Sequence, residues 1–267
     1  MRVKIFDQGK YYLMSAKQLQ PQQQLATWYR TIAGKQLLDQ ENYLLTKGLE
    51  GLFGYHLLTL GPLDYAEAMG ASSISHQIVI NDDPVEGRAI DLLGSQYELP
   101  LQSDSIDAVI LPHLLEYSAE PHQILREVER VTVPNGHVII LGFNPLSCYG
   151  LCRAALGFMN RMPWKGHYYH PVRLRDWLHL LGFRITRIRY AGFVPPIPSE
   201  RMLARLAFME RATSSFIAPL GSIYMIVARN EVVTPNVVKK PWKNKRPSLE
   251  NGAIEPTTRI RAGLDEQ

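Results

Sequence analysis

A chain of 267 residues with 46% hydrophobic content can bury a full core, and its length fits one large domain with a tail rather than two domains. Its net charge of +4 conceals a split, residues 1–152 being acidic on balance and residues 153–211 strongly basic. The first twenty residues carry no apolar core or small-residue cleavage site, and the longest apolar stretch, Val138 to Cys152, contains Asn144-Pro145 and is too short for a bilayer, so neither export nor a transmembrane helix is expected.

Between Gln22 and Phe53 the residues Leu25, Trp28, Ile32, Leu37, Leu38, Leu44, Leu45, Leu49 and Leu52 recur at three- and four-residue steps, which predicts two helices broken near Gly34. His56 to Leu60 is a short apolar run closed by Gly61-Pro62, the pattern of a buried parallel strand. Asp64 suits the cap of a short helix over Tyr65 to Met69, with Glu67 at capping-box spacing and Gly70 as its stop. His76 to Ile80 is the second predicted strand, ended by Asn81-Asp82-Asp83-Pro84, and Arg88 to Leu92 the third. Ile106 to Leu111 is the fourth, after which Glu120-Pro121 opens an amphipathic helix bearing Ile124, Leu125, Val128 and Val131. Pro134-Asn135-Gly136 turns into strand five, His137 to Leu141.

The only cysteines, Cys148 and Cys152, lie four apart without the CxxC spacing of a zinc or redox site; both are expected as buried apolar residues in a reducing cytosol. Val172 to Leu181 is a helix stopped by Gly182, Phe183 to Tyr190 strand six, Ser199 to Arg211 a helix, and Ile223 to Arg229 strand seven. From Asn230 the chain is polar and proline-containing, with a basic run at 239–246. It reads as a disordered tail, either solubilising or in contact with nucleic acid or an anionic membrane. The alternation predicts an α/β, doubly wound, Rossmann-like seven-stranded sheet: helices over residues 1–55, the core domain over 56–229 and the tail over 230–267. Ligands belong at the carboxyl ends of its strands.

Leu99-Pro100-Leu101, Ser105-Ile106-Asp107, His113-Leu114-Leu115-Glu116-Tyr117 and Arg126-Glu127-Val128-Glu129-Arg130-Val131 form an ordered series. The series resembles the type-11 class I methyltransferases, in which LPF and SFD precede an apolar strand and a helix ends in REhxRVLxPGG. Arg173 to Phe183 is similar to the helix and GF before that family's strand six. More narrowly, His56-Leu57-Leu58, Ser75-His76-Gln77, Gly142 to Ser147 and Gly150-Leu151 resemble the YafS-type predicted methyltransferases of proteobacteria. The resemblance implies a cytoplasmic enzyme that transfers a methyl group from S-adenosyl-L-methionine to an acceptor it does not name.

Such a displacement asks the protein chiefly for proximity and alignment, so a catalytic base is optional. In the family, a D-x-G-x-G-x-G turn after strand one lets the backbone approach the cofactor's methionine part, because glycine adds no Cβ and tolerates positive φ. Here the turn reads Thr59-Leu60-Gly61-Pro62-Leu63-Asp64-Tyr65 and keeps only Gly61; Leu63 points either into that approach or into the core. The resemblance also implies a ribose-binding acid after strand two, for which Asn81, Asp82 or Asp83 stand, an Asx turn before Pro84 being the alternative. Ser95-Gln96 stand where the adenine-facing acid belongs, and Pro112-His113 border cofactor and substrate. His113 is the candidate general base, with an ordinary pKa of about 6.5, or else a hydrogen-bonded structural histidine. Glu116 suits loop orientation, and Asn144-Pro145 a turn at the ligand edge. His167 and His170 lack further ligands, so no metal is expected. The charge split favours a cationic cofactor on the acidic half and an anionic acceptor, or nucleic acid, near the basic segment; unevenly spread surface charge is the alternative. Two functions remain open, the methyltransferase and a non-catalytic binding or regulatory protein of the same fold with a degenerate loop.

Overall fold

The structure, a computed structural model, describes residues 2–7, 10–15, 21–84, 89–156, 161–193 and 218–231. The chain begins with an antiparallel hairpin, β1 (Arg2–Asp7) and β2 (Lys10–Ser15), where only helices were expected. Val3 and Ile5 alternate with Arg2 and Lys4 at the strand period. Next come the two expected helices, α1 (Pro21–Tyr29) and α2 (Ile32–Leu49), with the break at Arg30-Thr31, just before Gly34. Thr31 caps α2, its hydroxyl accepting the Gly34 N–H at 3.2 Å. Gly34 is needed for packing instead, since a Cβ there would collide with the backbone of Trp28 and Tyr29.

The remaining elements are β3 (His56–Leu60), α3 (Ala66–Gly70), β4 (His76–Asn81), β5 (Leu92–Leu93), β6 (Ile106–Pro112), α4 (Pro121–Val131), β7 (Thr132–Phe143), α5 (Cys148–Leu156), α6 (Pro171–Leu180), β8 (Phe183–Ala191) and β9 (Ile223–Asn230). Strands β3 to β9 form the predicted seven-stranded sheet in the order β5-β4-β3-β6-β7-β9-β8. The first five in that order pair in parallel, and β9 runs antiparallel to both β7 and β8. Strand order reverses between β3 and β6, so the crevice at their carboxyl ends is the switch point at which an open α/β sheet takes its ligand. The third predicted strand shrinks to two residues because Asp91 caps the ladder, its carboxylate accepting the Val79 N–H at 2.8 Å.

Each face of the sheet carries its own apolar layer. Leu25, Leu37, Leu44, Leu45 and Leu49 of α1 and α2 pack on Leu57, Ile110, Ile139 and Met225; Ile124, Leu125, Val128 and Val131 of α4, with Leu174 and Leu178 of α6, pack on Leu58, Val109, Val138 and Ile140. Near-continuous apolar runs in β3, β6 and β7 follow from this two-sided burial. Each such side chain contributes about 1.5–3 kcal/mol relative to exposure. The cysteines correct an expectation: Cys148 is exposed and Cys152 half-buried, because α5 turns Tyr149 and Gly150 inward and its cysteine face outward. The helix expected over 199–211 and the tail lie outside the described residues, among which no helix is long and apolar enough to cross a membrane.

Candidate functional site

At the switch point, Gly61 follows β3 with φ of 125°, backbone that favours glycine. Its N–H donates to Ile80 O at 3.1 Å, tying the loop to β4. A Cβ on Gly61 would lie 3.7 Å from the Pro112 carbonyl oxygen, ordinary contact, so conformation and not space demands glycine. Leu63 and Tyr65, which stand where the family has glycines, are buried in the core beneath α2, so Leu63 takes the second of its two alternatives. Asp64 accepts the Ala66 N–H at 3.1 Å and serves the turn.

On the neighbouring strands, Asn81 is buried at the end of β4 and donates from Nδ2 to Asp83 O at 2.6 Å, a bond of the opposite sense to that of the Asx turn expected there. Asp82 is exposed, and its Oδ1 accepts the Gln96 N–H at 2.9 Å. Partial desolvation raises the Asp82 pKa against that hydrogen bond. Gln96 is buried and its Oε1 accepts from Gln22 Nε2 of α1 at 2.7 Å, so the helical cap reaches across to this edge. Ser95 is exposed and accepts the Tyr97 N–H. The fold thus brings Gly61, Asn81, Asp82 and Gln96 to the carboxyl ends of adjacent strands, with Ser95 spent on a turn.

Pro112 ends β6 and His113 follows it, both buried. His113 has φ of 52°, unusual outside glycine, and is 1% exposed. This backbone turn sets the imidazole between two buried carboxylates, with Nε2 at 2.9 Å from Glu41 Oε1 and Nδ1 at 2.8 Å from Glu116 Oε2. Glu41, on α2, also accepts from Tyr29 OH at 2.6 Å and from Tyr65 OH at 2.7 Å; Glu116 accepts the Phe143 N–H at 2.5 Å. The His113 ring lies 4.2 Å from the Phe143 ring, which in turn stacks on Tyr149 and Tyr168.

Burial opposes protonation of His113, yet Glu41 and Glu116 outweigh it and raise the pKa to about 10. Burial likewise raises Glu116, against the pull of His113 and the Phe143 N–H. An imidazolium with both N–H groups committed has no lone pair to receive a proton. The general-base reading of His113 therefore gives way to the structural one. Glu41, Tyr29 and Tyr65 were missed in the sequence, although a carboxylate within the apolar stripe Leu37, Leu44, Leu45 was a usable signal, since acids are rarely buried without a partner. Of the basic segment, Arg153 on α5 donates to Gly166 O at 2.6 Å and lies over Tyr168, whereas Arg184, Arg187 and Arg189 sit on the far edge strand β8. No three His, Cys, Asp or Glu among the described residues are grouped to hold a metal ion.

Residues 63–140 match the family model described as a methyltransferase domain. The chain is 30% identical over 213 residues to YafS of Escherichia coli K12, itself described as uncharacterized, across 79% of this chain and 82% of that protein. Among solved structures it is similar to a SAM-dependent methyltransferase of Thermotoga maritima, with TM-score 0.52, 17% identity and coverage of 71% and 89% of the two chains. It is also similar to a chain from the Haloferax volcanii complex between the Trm112 methyltransferase activator and a methyltransferase, with TM-score 0.54, 14% identity and coverage of 79% and 97%. At these identities the two structures speak for the shared fold.

Proposed function

The chain belongs to the family of the Escherichia coli protein YafS and matches a methyltransferase domain over residues 63–140, and from that premise we propose that it uses S-adenosylmethionine, the crevice between β3 and β6 holding the cofactor and aligning its methyl group with an acceptor. The observation that carries this reading is Gly61, held at φ of 125° at the switch point and tied to β4. The surrounding groups fit the cofactor's chemistry. Asp82 keeps Oδ2 without a partner among the described residues, suiting a ribose hydroxyl, and Gln96, its oxygen taken by Gln22, keeps its amide N–H groups for an acceptor on the base.

S-adenosylmethionine supplies an electrophilic methyl group on a sulfonium and leaves as a neutral thioether. The chain's own part is to bind, to orient and to exclude water, which α1 and α2 favour by covering the crevice. His113 holds a proton rather than taking one. It anchors α2 over the loop through Glu41, as a positioning residue. Arg153, half-buried over Tyr168, places a cation on the β7 side and favours an anionic acceptor.

Thermal unfolding of the chain with S-adenosylmethionine or S-adenosylhomocysteine tests the reading. Ligand at 100 times its dissociation constant adds about 2.7 kcal/mol, or roughly 5–10 °C for a domain of this size. No shift with either compound at millimolar concentration refutes it.

A further inference from the structure

The Glu41–His113–Glu116 cluster does more than fasten a helix, because its hydrogen bonds define its charge. Both oxygens of Glu116 face N–H groups, of His113 and Phe143; Glu41 takes three donors, from Tyr29, Tyr65 and His113. With the proton on His113, its charge is balanced by Glu116, and Glu41 supplies one negative charge with no further counter-ion among the described residues. Among the described residues no second cation pairs with either carboxylate: Arg153 is turned to Gly166 O and the Tyr168 ring. A buried charge without a counter-ion is costly to keep, so its position matters. Tyr65, which holds Glu41, lies in the loop that Gly61 opens. His113, which bridges the two acids, follows Pro112, whose carbonyl would be 3.7 Å from a Gly61 Cβ.

We propose that this buried negative charge makes Glu41 and Glu116 the charge selector of the transfer site, favouring the cationic sulfonium cofactor over the neutral thioether product. The proposal rests on the methyltransferase reading above. It predicts that loss of the methyl group itself weakens binding, so that product leaves a site that had retained the cofactor.

Isothermal titration calorimetry of S-adenosylmethionine and S-adenosylhomocysteine on the full chain tests it, using wild type, Glu41→Gln, Glu116→Gln and His113→Gln. The wild type is expected to prefer S-adenosylmethionine by about tenfold or more, as for a unit charge acting over several ångströms at an effective dielectric constant of about 20. Glu41→Gln brings the ratio toward parity, because any loosening of α2 weakens both ligands alike while loss of the charge weakens S-adenosylmethionine further. Glu116→Gln, which lies off α2, makes the same change of one charge and serves where Glu41→Gln does not fold. His113→Gln removes a positive charge and does not narrow the ratio. A ratio left unchanged by both Glu variants, or a wild type that prefers S-adenosylhomocysteine, overturns the proposal and leaves the methyltransferase reading standing. Failure of both ligands to bind the wild type overturns that reading, and the proposal with it.

Discussion

Replacing Glu41 by Gln probes how the helical cap is held on the sheet. In the native protein one carboxylate receives Tyr29 OH at 2.6 Å, Tyr65 OH at 2.7 Å and His113 Nε2 at 2.9 Å, all in a buried setting. The amide keeps the shape but loses the charge, and its NH2 group must face one of these donors. Removing one partner of a buried ion pair costs about 3–5 kcal/mol, because the partner left behind remains charged and desolvated. At roughly 2–4 °C per kcal/mol for a domain of this size, Tm falls by about 6–20 °C. Urea and thermal unfolding at pH 7 read this directly. In a double-mutant cycle with His113→Gln, the second substitution costs less than it does alone, leaving a coupling of about 0.5–3 kcal/mol. A loss below about 1 kcal/mol, or strict additivity, would refute the account of Glu41 as the anchor of α2.

The same cluster predicts a pH dependence. The folded-state pKa of His113, about 10, lies above its unfolded value, so its stabilisation is complete below pH about 6.5 and is lost as pH rises through 10. Unfolding midpoints of wild type and His113→Gln measured across that window should converge toward alkaline pH, and a constant difference would contradict the assignment. Gly61→Ala should cost about 1–3 kcal/mol for its backbone and also remove the cofactor-induced thermal shift. Gly51→Ala is the control: Gly51 has φ of 80° with nothing near its missing Cβ, so a comparable strain there leaves cofactor binding intact.

Local pattern determined the sheet and its dressing. The runs His56 to Leu60, Ile106 to Leu111 and His137 to Leu141 are apolar on both faces because parallel strands are covered on both sides, and Ile124, Leu125, Val128 and Val131 line one helical stripe that reappears as the buried face of α4. Gly61, Asn81, Asp82 and Gln96 were legible as candidates because each ends or follows a strand, and strand ends converge in this architecture.

What depends on approach between distant segments was decided only by the tertiary structure. Spacing puts Cys148 and Cys152 on one helix face but is silent on which face meets solvent. Gly34 reads as a helix break, yet its reason is the closeness of α1 to α2. His113 looks like a base in isolation. Its partner Glu41 lies 72 residues away, and only packing of α2 over the switch point brings the two together in a water-poor setting, where a nearby carboxylate holds the proton on the ring instead of letting it exchange at neutral pH.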